Sequence, residues 1–210
     1  SYASKQQCIQ ITTANTPPQW KIQSKLSCCS ICEESFNKYL KAENCRNCGQ
    51  LVCPDCSDET WPSTMIPVTF YEKNSLHIRI CSACIKTTNS FIAALKSGDL
   101  ETVQCLYKYS NVNLHLPYSI LPDAPYPIHC AAASGNVTLL RWLVEEQGCC
   151  TTDASTGAPL VNASGHSILA VAARRGDRDM MQYAIRELHC STADITDVAI
   201  LQRGLHAALE

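Results

Sequence analysis

The 210-residue sequence predicts a small cysteine-rich α+β finger fused to an all-α solenoid of helix-pair repeats. Two observations carry this. Four Cys-x-x-Cys pairs, Cys29/Cys32, Cys45/Cys48, Cys53/Cys56 and Cys81/Cys84, fall within 56 residues. Beyond them, three alanine-rich segments align on Gly98, Gly135 and Gly176, each followed by a bulkier amphipathic stretch.

The first 20 residues are polar and contain Thr16-Pro17-Pro18, which predicts a poorly ordered lead-in over 1–19. The cysteine pairs come next, in a finger over 20–86. Two residues between cysteines let one tight turn present two thiolates to one ion, and zinc takes four such ligands in a tetrahedron. Four pairs therefore predict two closed, structural zinc sites with no open position for a substrate. A disulfide framework fits less well. The cysteine total of 15 is odd, seven lie outside the pairs, and no apolar signal segment opens the sequence. Between the third and fourth pairs, alternating Leu76, Ile78 and Ile80 predict a strand running into Cys81.

From residue 87 to 210 helical periodicity takes over. Phe91–Leu100, Ile128–Val137 and Leu169–Arg178 superpose on the three glycines, at intervals of 37 and 41 residues. Small alanines let a first helix pack closely on its neighbours. Glycine ends that helix with a positive φ, and Asp or Asn follows in the turn. A second helix is predicted over Leu100–Tyr107, Val137–Glu146 and Arg178–Leu188, the middle one carrying Leu139, Leu140, Trp142 and Leu143 toward the stack. One such pair cannot bury its apolar face alone, so the units stack. Extra length falls in loops Asn111–Pro125 and Gln147–Gly165, and residues from Thr192 onward open a partial fourth unit. With no Gly/Pro/Ser linker after Cys84, Ile85–Lys96 reads as one helix serving both finger and first repeat. The chain opens without methionine and stops inside a helical pattern, as expected of a piece of a longer protein.

Tyr126-Pro127-Ile128-His129-Cys130-Ala131-Ala132 resembles the T-P-L-H-x-A-A signature of ankyrin repeats, and Gly165-His166-Ser167-Ile168-Leu169-Ala170 is a looser copy. In that family the histidine is structural. The finger resembles a FYVE finger: Trp20 ahead of the first pair, the knuckle Cys45-Arg46-Asn47-Cys48-Gly49, and Arg79-Ile80-Cys81-Ser82-Ala83-Cys84 at the end. The resemblance implies a cross-brace. Cys29, Cys32, Cys53 and Cys56 would share one zinc, and Cys45, Cys48, Cys81 and Cys84 the other; spacing alone does not choose this over sequential pairing. Cys28 rivals Cys29, but only Cys29 leaves two intervening residues.

FYVE fingers read phosphatidylinositol 3-phosphate with a basic, histidine-containing segment, a W-x-x-D motif and an arginine before the last pair. Here the basic segment is Lys41-Ala42-Glu43-Asn44-Cys45-Arg46, and Gln23 stands at the aspartate position. Lys41, Arg46 and Arg79 survive as candidate lipid contacts, with Tyr39 and Leu40 as a candidate membrane-dipping pair. Converging cationic donors are what recognise a phosphate, so selectivity for that lipid is predicted to be lost.

The net charge of −2 supports no nucleic-acid role, and no apolar run reaches the ~18 residues of a membrane span. No GxSxG, HExxH or phosphate loop is present, so neither catalysis nor a small-molecule substrate is expected. Cys105, Cys130 and Cys190 read as small buried hydrophobes. The resulting expectation is a cytoplasmic adaptor that binds a protein partner through its repeats, with weak contact to anionic membranes. One alternative is an endosomal membrane reader. A second is a RING-like ubiquitin ligase, disfavoured because no histidine stands between Cys32 and Cys53.

Overall fold

A computed structural model describes residues 27–71, 75–195 and 197–209. The lead-in, Trp20 and Gln23 lie outside the described residues. The finger contains two short antiparallel hairpins. In the first, β1 (Glu43–Asn44) pairs with β2 (Leu51–Val52) around the Cys45–Cys48 knuckle. In the second, β3 (Thr60–Pro62) pairs with β4 (His77–Arg79), Trp61 opposite Ile78. Ile78 and Ile80 are buried, as the alternation predicts, but Leu76 is 76% exposed. Leu76 precedes β4 at the end of the hairpin that joins the long connection, where its carbonyl accepts from Ser63 N–H at 3.0 Å while its side chain faces outward.

The helices begin at the last cysteine pair. α1 (Ser82–Ser97) starts three residues before the predicted Ile85, so Cys84 sits inside its first turn. Its buried face, with Phe91 and Leu95 fully enclosed, packs on α2 (Leu100–Tyr109) and α3 (Pro127–Ser134). α4 (Val137–Arg141) continues as one wider π turn through Trp142–Glu146, which buries Trp142, Leu143 and Val144 together. α5 (Ile168–Arg175), α6 (Arg178–Arg186) and α7 (Val198–Leu209) follow. The first helices α1, α3, α5 and α7 pack in a row, each on the next. The second helices α2, α4 and α6 lie behind their own partners.

Each helix–helix turn is built the same way. Gly98, Gly135 and Gly176 end α1, α3 and α5 at φ of 75°, 81° and 71°, a region that favours glycine. The next residue caps the following helix: Asp99 accepts from Thr102 N–H, Asn136 from Leu139 N–H and Asp177 from Met180 N–H, each at 3.0 Å. The turns also touch across repeats. Asn136 Nδ2 donates to Gly98 O at 2.7 Å, and a Cβ on Gly135 would stand 2.8 Å from Asp177 Oδ2.

The long connections run 111–125 and 147–165 and are packed, not loose. Leu114 and Tyr118 are buried, Cys149 lies beneath Leu114 O, and Ala163 N–H donates to Asp123 O at 2.7 Å, which joins the two loops. The finger meets the first of these loops through Asn47 Nδ2 to Asn111 O at 2.8 Å and the Thr64–Ser119 hydroxyl pair at 2.7 Å. One continuous apolar core runs from Cys29 and Ile80 through Phe91 to Ile200.

Candidate metal centres and binding surfaces

The eight paired cysteines converge in two quartets. Cys29, Cys32, Cys53 and Cys56 form one, and Cys45, Cys48, Cys81 and Cys84 the other, with the sulfurs of each within 4.8 Å of one another. Sequential pairs thus interleave, because the β1–β2 knuckle folds back onto the strand that leads into α1. The chain comes back to each quartet after a long excursion, and the excursions contain the hairpins.

The separations suit zinc. Four sulfurs ~2.3 Å from a central ion stand ~3.8 Å from each other. Cys32 and Cys53 sulfurs are 3.7 Å apart, Cys45 and Cys84 3.9 Å, and Cys48 and Cys81 3.9 Å. A disulfide needs ~2.05 Å. Backbone N–H groups already point at the innermost sulfurs: Ile31 and Cys53 donate to Cys29 at 3.4 and 3.3 Å, and Cys81 donates to Cys45 at 3.3 Å.

The electrostatics ask for a cation. Burial opposes ionisation of Cys29, but the N–H groups of Cys32, Ile31 and Cys53 overcome it and bring its thiol down to about 6. Hydrogen bonds from Cys48, Cys81 and Cys84 pull Cys45 down further. Cys32, Cys48, Cys56 and Cys84 are pushed the other way, Cys84 by the crowding of Cys45, Cys48 and Cys81. Within each quartet the raised thiols resist ionisation beside those that ionise readily, as like charges sharing a small space must. A divalent ion removes that resistance. Cys28 lies outside both quartets, and its backbone forms an isolated antiparallel bridge with Ser35.

The candidate lipid contacts lie on and beside the β1–β2 knuckle and on β4. Arg46 N–H donates to Arg79 O at 3.2 Å, so the two backbones adjoin. The Arg79 guanidinium, however, donates to Ser57 O at 2.8 Å and braces the turn after Cys53. Lys41 is exposed, and Glu43 beside it is exposed on β1. Tyr39 is 84% exposed, with Lys38 Nζ 4.7 Å above its ring, whereas Leu40 packs against the finger core. Of the candidate membrane-dipping pair, Tyr39 is thus the more exposed member. Of the thiols outside the quartets, Cys130 is buried and pushed by that burial up to about 11, while Cys190 is half-buried and Cys105 lies exposed on α2, contrary to its reading as a buried hydrophobe.

In the repeats, His129 is enclosed at the third position of α3. Its Nδ1 accepts from Tyr126 N–H at 3.3 Å and its Nε2–H donates to Leu160 O at 3.1 Å, which ties the helix to the 147–165 loop. A feature that sequence reasoning missed lies beside it. A cleft of about 400 Å³ runs between the first helices and the two loops, lined by Lys96, Arg174, Arg175 and Arg203. One signal was present: Lys96 and Arg174 each stand two residues before an aligned glycine.

The family model for the FYVE zinc finger matches residues 19–90, and that for ankyrin repeats, in three copies, matches 90–198. Human "RUN and FYVE domain-containing protein 2" is 30% identical over 65 residues, 31% of this chain and 9% of that protein. A Drosophila melanogaster protein named "Putative 1-phosphatidylinositol 3-phosphate 5-kinase" is 24% identical over 108 residues, 51% of this chain and 6% of its own length. The chain thus spans under a tenth of either relative. Among solved structures, the tandem VHS and FYVE domains of Hrs, described as a protein involved in membrane trafficking and signal transduction, is 28% identical over 35% of this chain and 30% of that one, at a TM-score of 0.29.

Proposed function

Because the chain belongs to the ankyrin-repeat family and carries a FYVE zinc finger ahead of its three repeats, we propose that it is a zinc-stabilised adaptor that binds a protein partner through a repeat solenoid. The FYVE finger takes two zinc ions. In this reading Cys29, Cys32, Cys53 and Cys56 hold one, and Cys45, Cys48, Cys81 and Cys84 the other, both structural. The finger occupies residues up to about 86 and the repeats the remainder, with α1 common to both. Neither module is catalytic, and the chain acts by binding alone, in the cytoplasm.

The observation that supports this most is the cleft between the first helices and the two long loops. The loops are packed on the stack and pinned by His129 and by Ala163, so they form a fixed wall. Ordered insertions on one face of a repeat array tend to be where it binds. A photo-crosslinking amino acid at exposed Ala133, inside the cleft, is expected to capture a protein partner in cells, and the same group at exposed Glu187 on the far side is not. Equal capture from both positions, or capture from neither, refutes the reading.

A second reading concerns the finger. Exposed Tyr39 beside Lys38 and Lys41 supports weak, peripheral contact with anionic membranes, endosomal ones included. An aromatic ring with a polar tip suits the headgroup region. With Arg79 engaged on Ser57, that contact does not select phosphatidylinositol 3-phosphate. Liposome pull-down with that lipid against phosphatidylinositol at physiological salt is expected to show no preference; a clear one overturns this second reading.

A further inference from the structure

Between residues 87 and 210 the chain has eight Lys and Arg side chains against twelve Asp and Glu, so this half of the molecule is net acidic. Four of the eight, Lys96, Arg174, Arg175 and Arg203, nonetheless line one cleft, which only one of the twelve acids, Asp123, joins. Asp123 is itself engaged by the Ser164 hydroxyl. Among the described residues, none of the four cations has a carboxylate within ion-pair distance. The four come from three helices of the row, α1, α5 and α7, and the stacking alone brings them together.

Their anchorage differs. Arg175 donates to Ala133 O and Arg203 to Arg174 O at 2.9 Å, so two guanidinium groups are held in place by carbonyls. Lys96 and Arg174 are exposed, with ends free to meet a ligand. Chance scatter would mix signs in an acidic segment. Concentrating cations in a concave site raises the local potential and selects an anionic partner.

Resting on the adaptor reading above, we propose that this cleft binds an extended acidic peptide segment of the partner protein. Neighbouring helices of the row lie ~10 Å apart, which an extended chain covers in about three residues. The ladder from α1 to α7 therefore suits a segment of roughly nine or ten residues with acids about every third position. Carboxylates and phosphorylated side chains offer the same charge.

The test uses the full chain and a fluorescein-labelled ten-residue peptide with glutamate at every third position. Its counterparts carry glutamine or phosphoserine at those positions. Fluorescence polarisation is expected to show at least tenfold tighter binding of the glutamate or phosphoserine peptide than of the glutamine one. Raising salt from ~0.15 to ~0.5 M should weaken it severalfold, because exposed charges are screened within a few Å there. The double variant Lys96→Gln, Arg174→Gln should lose it at least tenfold while its circular dichroism stays unchanged; among the described residues neither side chain makes a hydrogen bond or ion pair, and each contributes to its helix only as a last-turn charge. Equal binding of the glutamate and glutamine peptides overturns the inference. So does preferential binding of phosphatidylserine vesicles abolished by the same variant, which would make the cleft a membrane contact. If the acidic peptides fail while Ala133 still crosslinks a partner, the acidic-segment inference falls and the adaptor reading stands.

Discussion

Acid should loosen the repeats through one imidazole. His129 is enclosed, and burial brings its pKa down to about 4. Both ring nitrogens are committed in the neutral form: Nδ1 accepts from Tyr126 N–H and Nε2–H donates to Leu160 O. A second proton on Nδ1 would face an N–H donor. Unfolded, the ring titrates near 6.5. Between pH 6.5 and 4 the unfolded state therefore binds more protons than the folded one, so stability from His129 is whole above pH 6.5 and drains as pH falls to 4. At about 1.4 kcal/mol per unit, the full loss is about 3 kcal/mol, and about 2.5 kcal/mol has gone by pH 4.5. Urea unfolding followed by the fluorescence of buried Trp142 measures it, with His129→Gln as reference. The variant should be less stable at pH 7.5 but flatter with pH, closing the gap as acid is added. Contributions from His115, whose pKa burial also brings down to about 4, and from zinc loss are common to both proteins and cancel in the difference. Parallel stability profiles for the two proteins would refute the reasoning.

A native preparation should carry two zinc ions per chain by atomic absorption, and Cys84→Ser should reduce that toward one. Chelation should remove hydrogen-exchange protection from the finger first and then from α1, since metal binding and folding are coupled in modules with so little core. Gly135→Ala should cost about 2–3 kcal/mol in thermal unfolding: about 1–2 for the left-handed backbone and about 1 for pushing aside the Asp177 cap. Gly165→Ala, at φ 76° with nothing within 4 Å, should cost only the backbone part. Glu43→Lys should strengthen sedimentation with anionic vesicles by about 1 kcal/mol without favouring any phosphoinositide; gain of headgroup selectivity would show a pocket that Arg79 does not in fact leave.

The parts legible in the sequence were those written in short-range chemistry. Paired cysteines, the glycine-then-Asp/Asn turns and the Pro127–His129 helix start each state their own geometry within a few residues. The interleaving of the quartets was not of that kind; it depends on how a knuckle folds back, and family resemblance supplied it. Leu40 and Leu76 show the limit from the other side. Both are leucines among mostly polar neighbours along the chain, yet Leu40 is partly covered and Leu76 is not, because cover comes from elements distant in sequence. The cationic cleft was invisible for the same reason, since Lys96 and Arg203 become neighbours only once the helices between them are stacked.

α1 bears Cys84 in its first turn and Lys96 in its last. Twelve residues of helix separate them, a strut of about 18 Å. An adaptor made of modules on a flexible tether lets one module search a sphere around the other, and its gain is a high effective concentration in every direction. This chain has a bracket in place of a tether. Whatever surface the finger rests on, the cleft is presented at one angle and one height. A partner approaching from that side meets it already aligned, and one approaching from elsewhere gains nothing from the finger being anchored.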